Sequence, residues 1–175
     1  IRQVEKGIIL EGIEDFEPAH VFDCGQCFRW LRQEDGSYTG VAMGRVINVS
    51  KEGDSIHIDN TSLEDFENIW YEYFDLGRDY GALKKKLAKM DENLKKAVEF
   101  GPGIRILKQD GWEMLISFII SSNNRIPMIQ RAINNISERY GRKIGTYRGK
   151  DYYAFPSPEE LSKASIEDLR DCKTR

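Results

Sequence analysis

The hydrophobic pattern changes its period part-way along the chain. Over residues 5–59, apolar positions fall in short runs and alternations separated by turn residues. Gly7-Ile8-Ile9-Leu10 is an apolar run, Cys27-Phe28-Arg29-Trp30-Leu31 alternates, and Glu34-Asp35-Gly36-Ser37 supplies turn chemistry. Residues 38–43 and 45–49 follow, separated by Gly44. Glu52-Gly53-Asp54 then turns the chain into the alternating Ser55-Ile56-His57-Ile58-Asp59. A period of two predicts strands, and the short connections predict an antiparallel meander with one buried face.

From Thr61 onward the period is helical. Thr61-Ser62-Leu63-Glu64 predicts a capping box in which the Thr61 hydroxyl takes an orphan N–H and Glu64 reaches back. Leu63, Phe66, Trp70 and Phe74 form the apolar stripe of that helix. Residues 80–90 and 91–100 read as two short, Lys-rich helices. Phe100-Gly101-Pro102-Gly103 then breaks the pattern and predicts a domain boundary. The expected division is 1–103, with a sheet over about 5–59 and helices over about 62–100, and 104–175. In the second part, Asp110-Gly111-Trp112-Glu113 opens an apolar helix that runs to Ile120. Ser121-Ser122-Asn123-Asn124 interrupts it. A further helix carries the stripe Ile126, Ile129, Ile133, Ile136 and Tyr140. Ser157-Pro158-Glu159-Glu160 and Ser165-Ile166-Glu167-Asp168 are two more helix starts. There is no internal repeat, low-complexity tract or long linker.

Composition narrows the class. With 40% hydrophobic residues and a net charge of only −3, the 175-residue chain has the means to bury a core and is not disordered. The mild acidity speaks against a strongly basic nucleic-acid binder. It leaves phosphate contacts open, because these depend on local charge. No apolar run reaches the roughly 18–20 residues of a membrane span. The opening Ile1-Arg2-Gln3-Val4-Glu5-Lys6 lacks the plan of a signal peptide. Three cysteines cannot all pair with one another, so free thiols and a reducing cytoplasm are expected.

Several constellations could carry chemistry. Cys24-Gly25-Gln26-Cys27 has CxxC spacing, but Cys172 with His20 or His57 would complete no familiar zinc knuckle. The pair also precedes a strand, where a redox pair would open a helix. Two buried thiols flanking a special glycine are expected instead, with no metal. His20 and His57 lie far apart, with no nucleophile elbow near either. Ser121-Ser122-Asn123-Asn124-Arg125 reads two ways. It is a helix–helix turn with Asn as N-cap, or a helix N-terminus offering amides and Asn side chains to phosphates or base edges. Lys84-Lys85-Lys86, Lys89, Lys95 and Lys96 read as a solvated face, interleaved as they are with Asp91, Glu92 and Glu99.

Taken together, four segments resemble one family. Phe22-Asp23-Cys24-Gly25-Gln26-Cys27-Phe28-Arg29-Trp30 resembles the G-Q-x-F-R-W signature of 8-oxoguanine DNA glycosylases. Gly103 to Asp110 is similar to the stretch that leads into their first central helix. Ile119-Ile120-Ser121-Ser122-Asn123-Asn124 is similar to their S-S-N-N-N turn, and Tyr153-Ala154-Phe155-Pro156-Ser157 to their Y-x-F-P-S segment. The order and spacing agree over nearly the whole chain. The resemblance implies an α+β fold: an N-terminal twisted antiparallel sheet with helices, then the first helices of a mainly helical helix-hairpin-helix glycosylase domain.

It also implies a chemistry. Such enzymes flip 8-oxoguanine out of duplex DNA, attack C1′ with a lysine assisted by an aspartate, and eliminate the 3′ phosphate from the Schiff base. No metal or cofactor is implied. The lysine and aspartate are expected after Arg175, so no catalytic residue is expected in this chain and it should not cleave DNA by itself. Lesion recognition falls on Gly25, whose carbonyl would accept from the N7–H that guanine lacks, with Gln26 beside it at the substrate. Asn123, Asn124, Arg125 and Met128 would meet DNA. Arg125 stands where the family usually has a third Asn, and Met128 where well-known members have an Arg that reads the opposite cytosine. The implied partner is double-stranded DNA containing 8-oxoguanine, bound by a monomer away from any membrane, in the cytoplasm or in a eukaryotic nucleus. Two rivals are a helix-hairpin-helix glycosylase for alkylated bases and a non-catalytic DNA-binding module.

Overall fold

The structure, a computed structural model, describes residues 1–174. Its strands are β1 (Arg2–Val4), β2 (Gly7–Glu11), β3 (Trp30–Arg32), β4 (Tyr38–Ala42), β5 (Arg45–Glu52) and β6 (Ser55–Asp59), with β7 (Lys143–Tyr147) and β8 (Lys150–Tyr153) later in the chain. The first six hydrogen-bond in the order β1-β2-β6-β5-β4-β3, and β7 and β8 form a separate hairpin. The pairing is antiparallel, with Ile8 opposite Ile58 in β2–β6 and Val49 opposite Ile58 in β5–β6. The fold class is therefore the α+β sheet-and-helix arrangement expected. A meander describes only β3 to β6. Between β2 and β3 the chain detours through a short helix, α1 (Pro18–Phe22), with Pro18 in its first turn.

The chain forms two compact units, each considered by itself. The first comprises Ile1–Gln26, Arg32–Tyr38 and Asn48–Lys108. Its core joins aliphatic strand residues, among them Ile8, Leu10, Ile56 and Ile58, to a cluster of aromatic rings. Phe16 and Phe74 ring centroids lie 5.3 Å apart, Phe22 and Tyr38 5.2 Å, and Trp70 and Tyr73 5.5 Å. Each such side chain contributes roughly 1.5–3 kcal/mol by leaving water. The helix after β6 runs as α2 (Leu63–Asp65), a π-helical turn (Phe66–Trp70) and α3 (Tyr71–Tyr73). Phe66, Trp70, Tyr73 and Phe74, spaced i, i+4, i+7 and i+8, are buried on one face, while Leu63 is left half-exposed. Its cap is not the one expected. Ser62 Oγ accepts the Asp65 amide at 3.0 Å, and Thr61 Oγ1 instead accepts the Trp70 indole N–H at 2.8 Å. Two further helices, α4 (Tyr80–Ala88) and α5 (Glu92–Phe100), are capped by Asp79 and Asp91.

The second unit comprises Cys27–Leu31, Thr39–Ile47 and the chain from Gln109 onward. Asp110 Oδ1 caps α6 (Gly111–Ser121) by accepting the Glu113 amide at 2.8 Å. Then comes α7 (Ile126–Tyr140), which buries Ile129, Ile133 and Ile136 and leaves Ile126 exposed. Ser157 and Ser165 each form a complete capping box, opening α8 (Pro158–Leu161) and α9 (Ile166–Asp171). No helix among the described residues is long and apolar enough to cross a membrane.

Candidate nucleic-acid interface

The first group of candidate residues sits on the loop after α1. Gly25 is exposed, has φ +88°, and an added Cβ there would meet nothing within 4 Å. Glycine is therefore needed for the backbone conformation and not for lack of room, and open space lies in front of it. Next to it, Gln26 spends its side chain on backbone groups. Nε2 donates to Val21 O at 2.9 Å and to Arg105 O at 2.8 Å, while Oε1 accepts the Leu107 amide at 2.9 Å. The two flanking thiols differ. Cys27 is buried as expected, but Cys24 is exposed, its Sγ donating weakly to Val21 O at 3.4 Å. Val21 O is one of the carbonyls that a helix C-terminus leaves without an intrahelical partner, which is why it attracts both donors.

The second group lies where α6 gives way to α7. Asn123 is exposed and adopts φ +49°, a left-handed conformation that Asn tolerates better than most residues. Asn124 is committed to the turn itself, its Nδ2 donating to Ile120 O at 3.2 Å and its Oδ1 accepting the Arg125 amide at 2.9 Å. The N-cap position of α7 is Arg125, with no side-chain cap, and not an Asn. Arg125 is exposed, and Met128 is 40% exposed and off the buried stripe. Asn123, Arg125 and Met128 thus present an amide, a cation and a soft apolar group to solvent at the start of one helix.

A third feature was absent from the sequence-based candidates. Arg29, within the F-R-W segment, is buried. Its Nη2 donates to Tyr153 O at 2.5 Å, and its Nη1 stands 3.8 Å from Glu113 Oε1. Burial lowers the Arg29 pKa, opposed by Glu113; burial raises the Glu113 pKa, opposed by Arg29. Glu113 also lines an open cleft of about 490 Å³ with Trp112, Arg142 and Phe155. The available signal was a lone cation between two aromatics in an apolar stretch, which costs free energy unless paired.

Other candidates take structural roles. His20 Nδ1 accepts the Gly103 amide at 3.3 Å, and His57 Nε2 lies 3.8 Å from Glu52. In the lysine cluster, Lys84 pairs with Asp15 and donates to Pro102 O at 2.8 Å. Among the described residues no group of three or more His, Cys, Asp or Glu is placed to hold a metal ion.

Residues 8–115 match the family described as 8-oxoguanine DNA glycosylase, N-terminal domain, and the chain belongs to that family. It is 36% identical over 169 residues to the N-glycosylase/DNA lyase of Saccharomyces cerevisiae, a match covering 85% of this chain and 43% of the yeast protein. The chain thus spans less than half the length of that relative. Among solved structures, the Clostridium acetobutylicum 8-oxoguanine glycosylase/lyase in complex with double-stranded DNA containing cytosine opposite 8-oxoG superposes with a TM-score of 0.96. The identity is 51%, over 99% of this chain and 59% of that one. The Archaeoglobus fulgidus 3-methyladenine DNA glycosylase shares the fold, with a TM-score of 0.66 at 18% identity.

Proposed function

We propose that this chain reads the damaged base in a bifunctional 8-oxoguanine DNA glycosylase/AP lyase of base-excision repair. The observation that carries the reading is Gly25: an exposed glycine at positive φ, with open space before it, inside the G-Q-x-F-R-W segment. 8-oxoguanine carries an N7–H donor where guanine carries a lone pair. A fixed backbone carbonyl at Gly25 accepts from the first and repels the second, and a recognition group left unpaired costs about 1–3 kcal/mol. Asn123, Arg125 and Met128 contact the strand opposite, with Asn124 holding their turn. A lysine of the whole protein attacks C1′, the C1′–N9 bond breaks, and the base leaves with a proton. The Schiff base then loses its 2′ proton and expels the 3′ phosphate. This needs no metal or cofactor. The partner is double-stranded DNA containing 8-oxoguanine, bound by a monomer, in the cytoplasm or in the nucleus of a eukaryote. The division at Gly103 belongs to the same proposal: residues 1–103 carry the reading glycine, and 104–175 begin the catalytic helical part.

Borohydride trapping tests it. The full-length protein should form a covalent adduct with an 8-oxoguanine duplex and none with an undamaged duplex, while the 175-residue chain alone should form neither. Equal trapping on both duplexes, or none by the full-length protein, would sink the reading.

A further inference from the structure

We propose that Gln26 is a positioning residue that fixes the Gly25 carbonyl, and that it acts on base discrimination without touching the base. The inference rests on the function proposed above. Its carboxamide bonds Arg105 O at 2.8 Å and Leu107 N at 2.9 Å, the two backbone groups flanking Ile106. These are the groups a neighbouring strand would use, so one side chain does the work of a strand edge. The second hydrogen on Nε2 goes to Val21 O at 2.9 Å, at the end of α1. The carboxamide therefore reaches two places at once: the helix end where the Gly25 loop begins, and a segment some 80 residues downstream in sequence, the separations from Gln26 being 79 and 81.

That downstream segment is a firm anchor. Arg105 is buried, donates to Asp75 O and Glu14 O at 3.0 Å each, and lies 4.7 Å from the centre of the Tyr80 ring. The Tyr80 hydroxyl accepts the Ile106 amide at 2.9 Å and donates to Asp75 at 2.8 Å. Leu107 is 5% exposed. Gly25 has no such ties among the described residues; it is exposed, side-chain-free and at φ +88°. A glycine gains the conformation it needs at the expense of stiffness. The adjoining Gln26 restores the stiffness, because a backbone acceptor discriminates only if it cannot swing away from the wrong base. With both ends of its carboxamide engaged, Gln26 acts on the base through Gly25.

The test compares two substrates of the full-length protein. One is an 8-oxoguanine duplex, whose base must be read. The other is a duplex with a preformed abasic site, which has no base to read. Gln26→Met keeps the length of the side chain and removes the hydrogen bonds to Val21, Arg105 and Leu107. It should lower single-turnover excision of 8-oxoguanine about tenfold or more, the effect of misplacing one recognition hydrogen bond. Strand cleavage at the abasic site should stay within about twofold, since that step involves no such bond. If Gln26→Met does not fold, Gln26→Glu serves, since it keeps the acceptor for Leu107 N and loses both donations. Gly25→Ala should show the same split, and the double variant should be no worse than the single ones. Equal losses on both substrates, or no loss on either, would overturn the positioning role. An unmodified full-length protein that releases no 8-oxoguanine would instead overturn the function on which it rests.

Discussion

The Arg29 guanidinium stands 3.8 Å from the Glu113 carboxylate, with neither group in open solvent. Arg29 Nε and Nη1 have no hydrogen-bond partner among the described residues. The pair thus gains Coulomb energy without a full set of hydrogen bonds, and burial outweighs the attraction at Glu113, whose pKa is raised above the ordinary 4.5. A carboxyl whose folded pKa is raised stabilises the fold below its unfolded pKa. That contribution is lost as pH rises through the folded value. The stability of the unmodified chain minus that of Glu113→Gln should therefore fall as pH rises above about 4.5. Denaturant midpoints of both proteins between about pH 4 and 8 measure it. A difference that grows with pH would mean that attraction to Arg29 dominates.

Asp75 has the opposite sign. Burial would raise its pKa, but hydrogen bonds from Tyr80 and Lys108, with Arg78 at 2.7 Å, outweigh that and hold it below 3.8. Its contribution is present above the unfolded pKa and lost as pH falls through the folded one. Asp75→Asn should cost about 1.5–3 kcal/mol at neutral pH, the value of a hydrogen bond to a charged group. The deficit should shrink as pH drops below 3.8. The backbone is no confounder, since φ is +49° at this site and Asn tolerates that region. A deficit that does not change with pH would show that the charge contributes nothing.

What the sequence made legible follows physical lines. Strand β6 alternates in burial, and its Ser-Ile-His-Ile-Asp pattern displayed that directly. Strand β4 is buried at all five positions, so its pattern could not reveal which side faces what. Helix starts were legible because caps are local: Asp110, Ser157 and Ser165 stand where the sequence placed them. Thr61 misled because its hydroxyl bonds Trp70, a partner that no cap pattern encodes. The five residues of α1 are too few to show a period. The β7–β8 hairpin has an irregular register between Lys143 and Gly145 and no apolar run. Gly25 and the Asn123 turn were found through motif resemblance. The roles of Gln26 and Arg29 required contacts with residues 79 to 124 positions away.

Gly40 packs against Trp30, and a Cβ at Gly40 would stand only 2.2 Å from Cδ2 and 2.4 Å from Cε3 of the indole. Trp30 is 3% exposed, so the ring has nowhere to retreat. Gly40→Ala should destabilise the chain by about 1–3 kcal/mol through overpacking. At this size that is a drop of about 2–4 °C in Tm per kcal/mol. In a Trp30→Leu background the same substitution should cost far less, because the contact that opposes it is gone. An undiminished cost in that background would move the cause from packing to the strand backbone.

On the proposed function, Met128 is the residue that meets the base opposite 8-oxoguanine in the full-length protein. Its side chain is 40% exposed at the start of α7, off the buried stripe of Ile129, Ile133 and Ile136, so it is free to face DNA. An Arg there would offer a fork of donors to the acceptor edge of cytosine, and a good bidentate pair is worth about 1–3 kcal/mol of discrimination. Met offers a flexible apolar contact that any base tolerates. The unmodified enzyme should therefore show weak preference among C, A, G and T opposite 8-oxoguanine in single-turnover excision. Met128→Arg should shift it toward cytosine by about tenfold or more. Stability should be little affected, because the site is exposed and outside the core. A strong cytosine preference in the unmodified enzyme that Met128→Arg leaves unchanged would place discrimination elsewhere and remove Met128 from the interface.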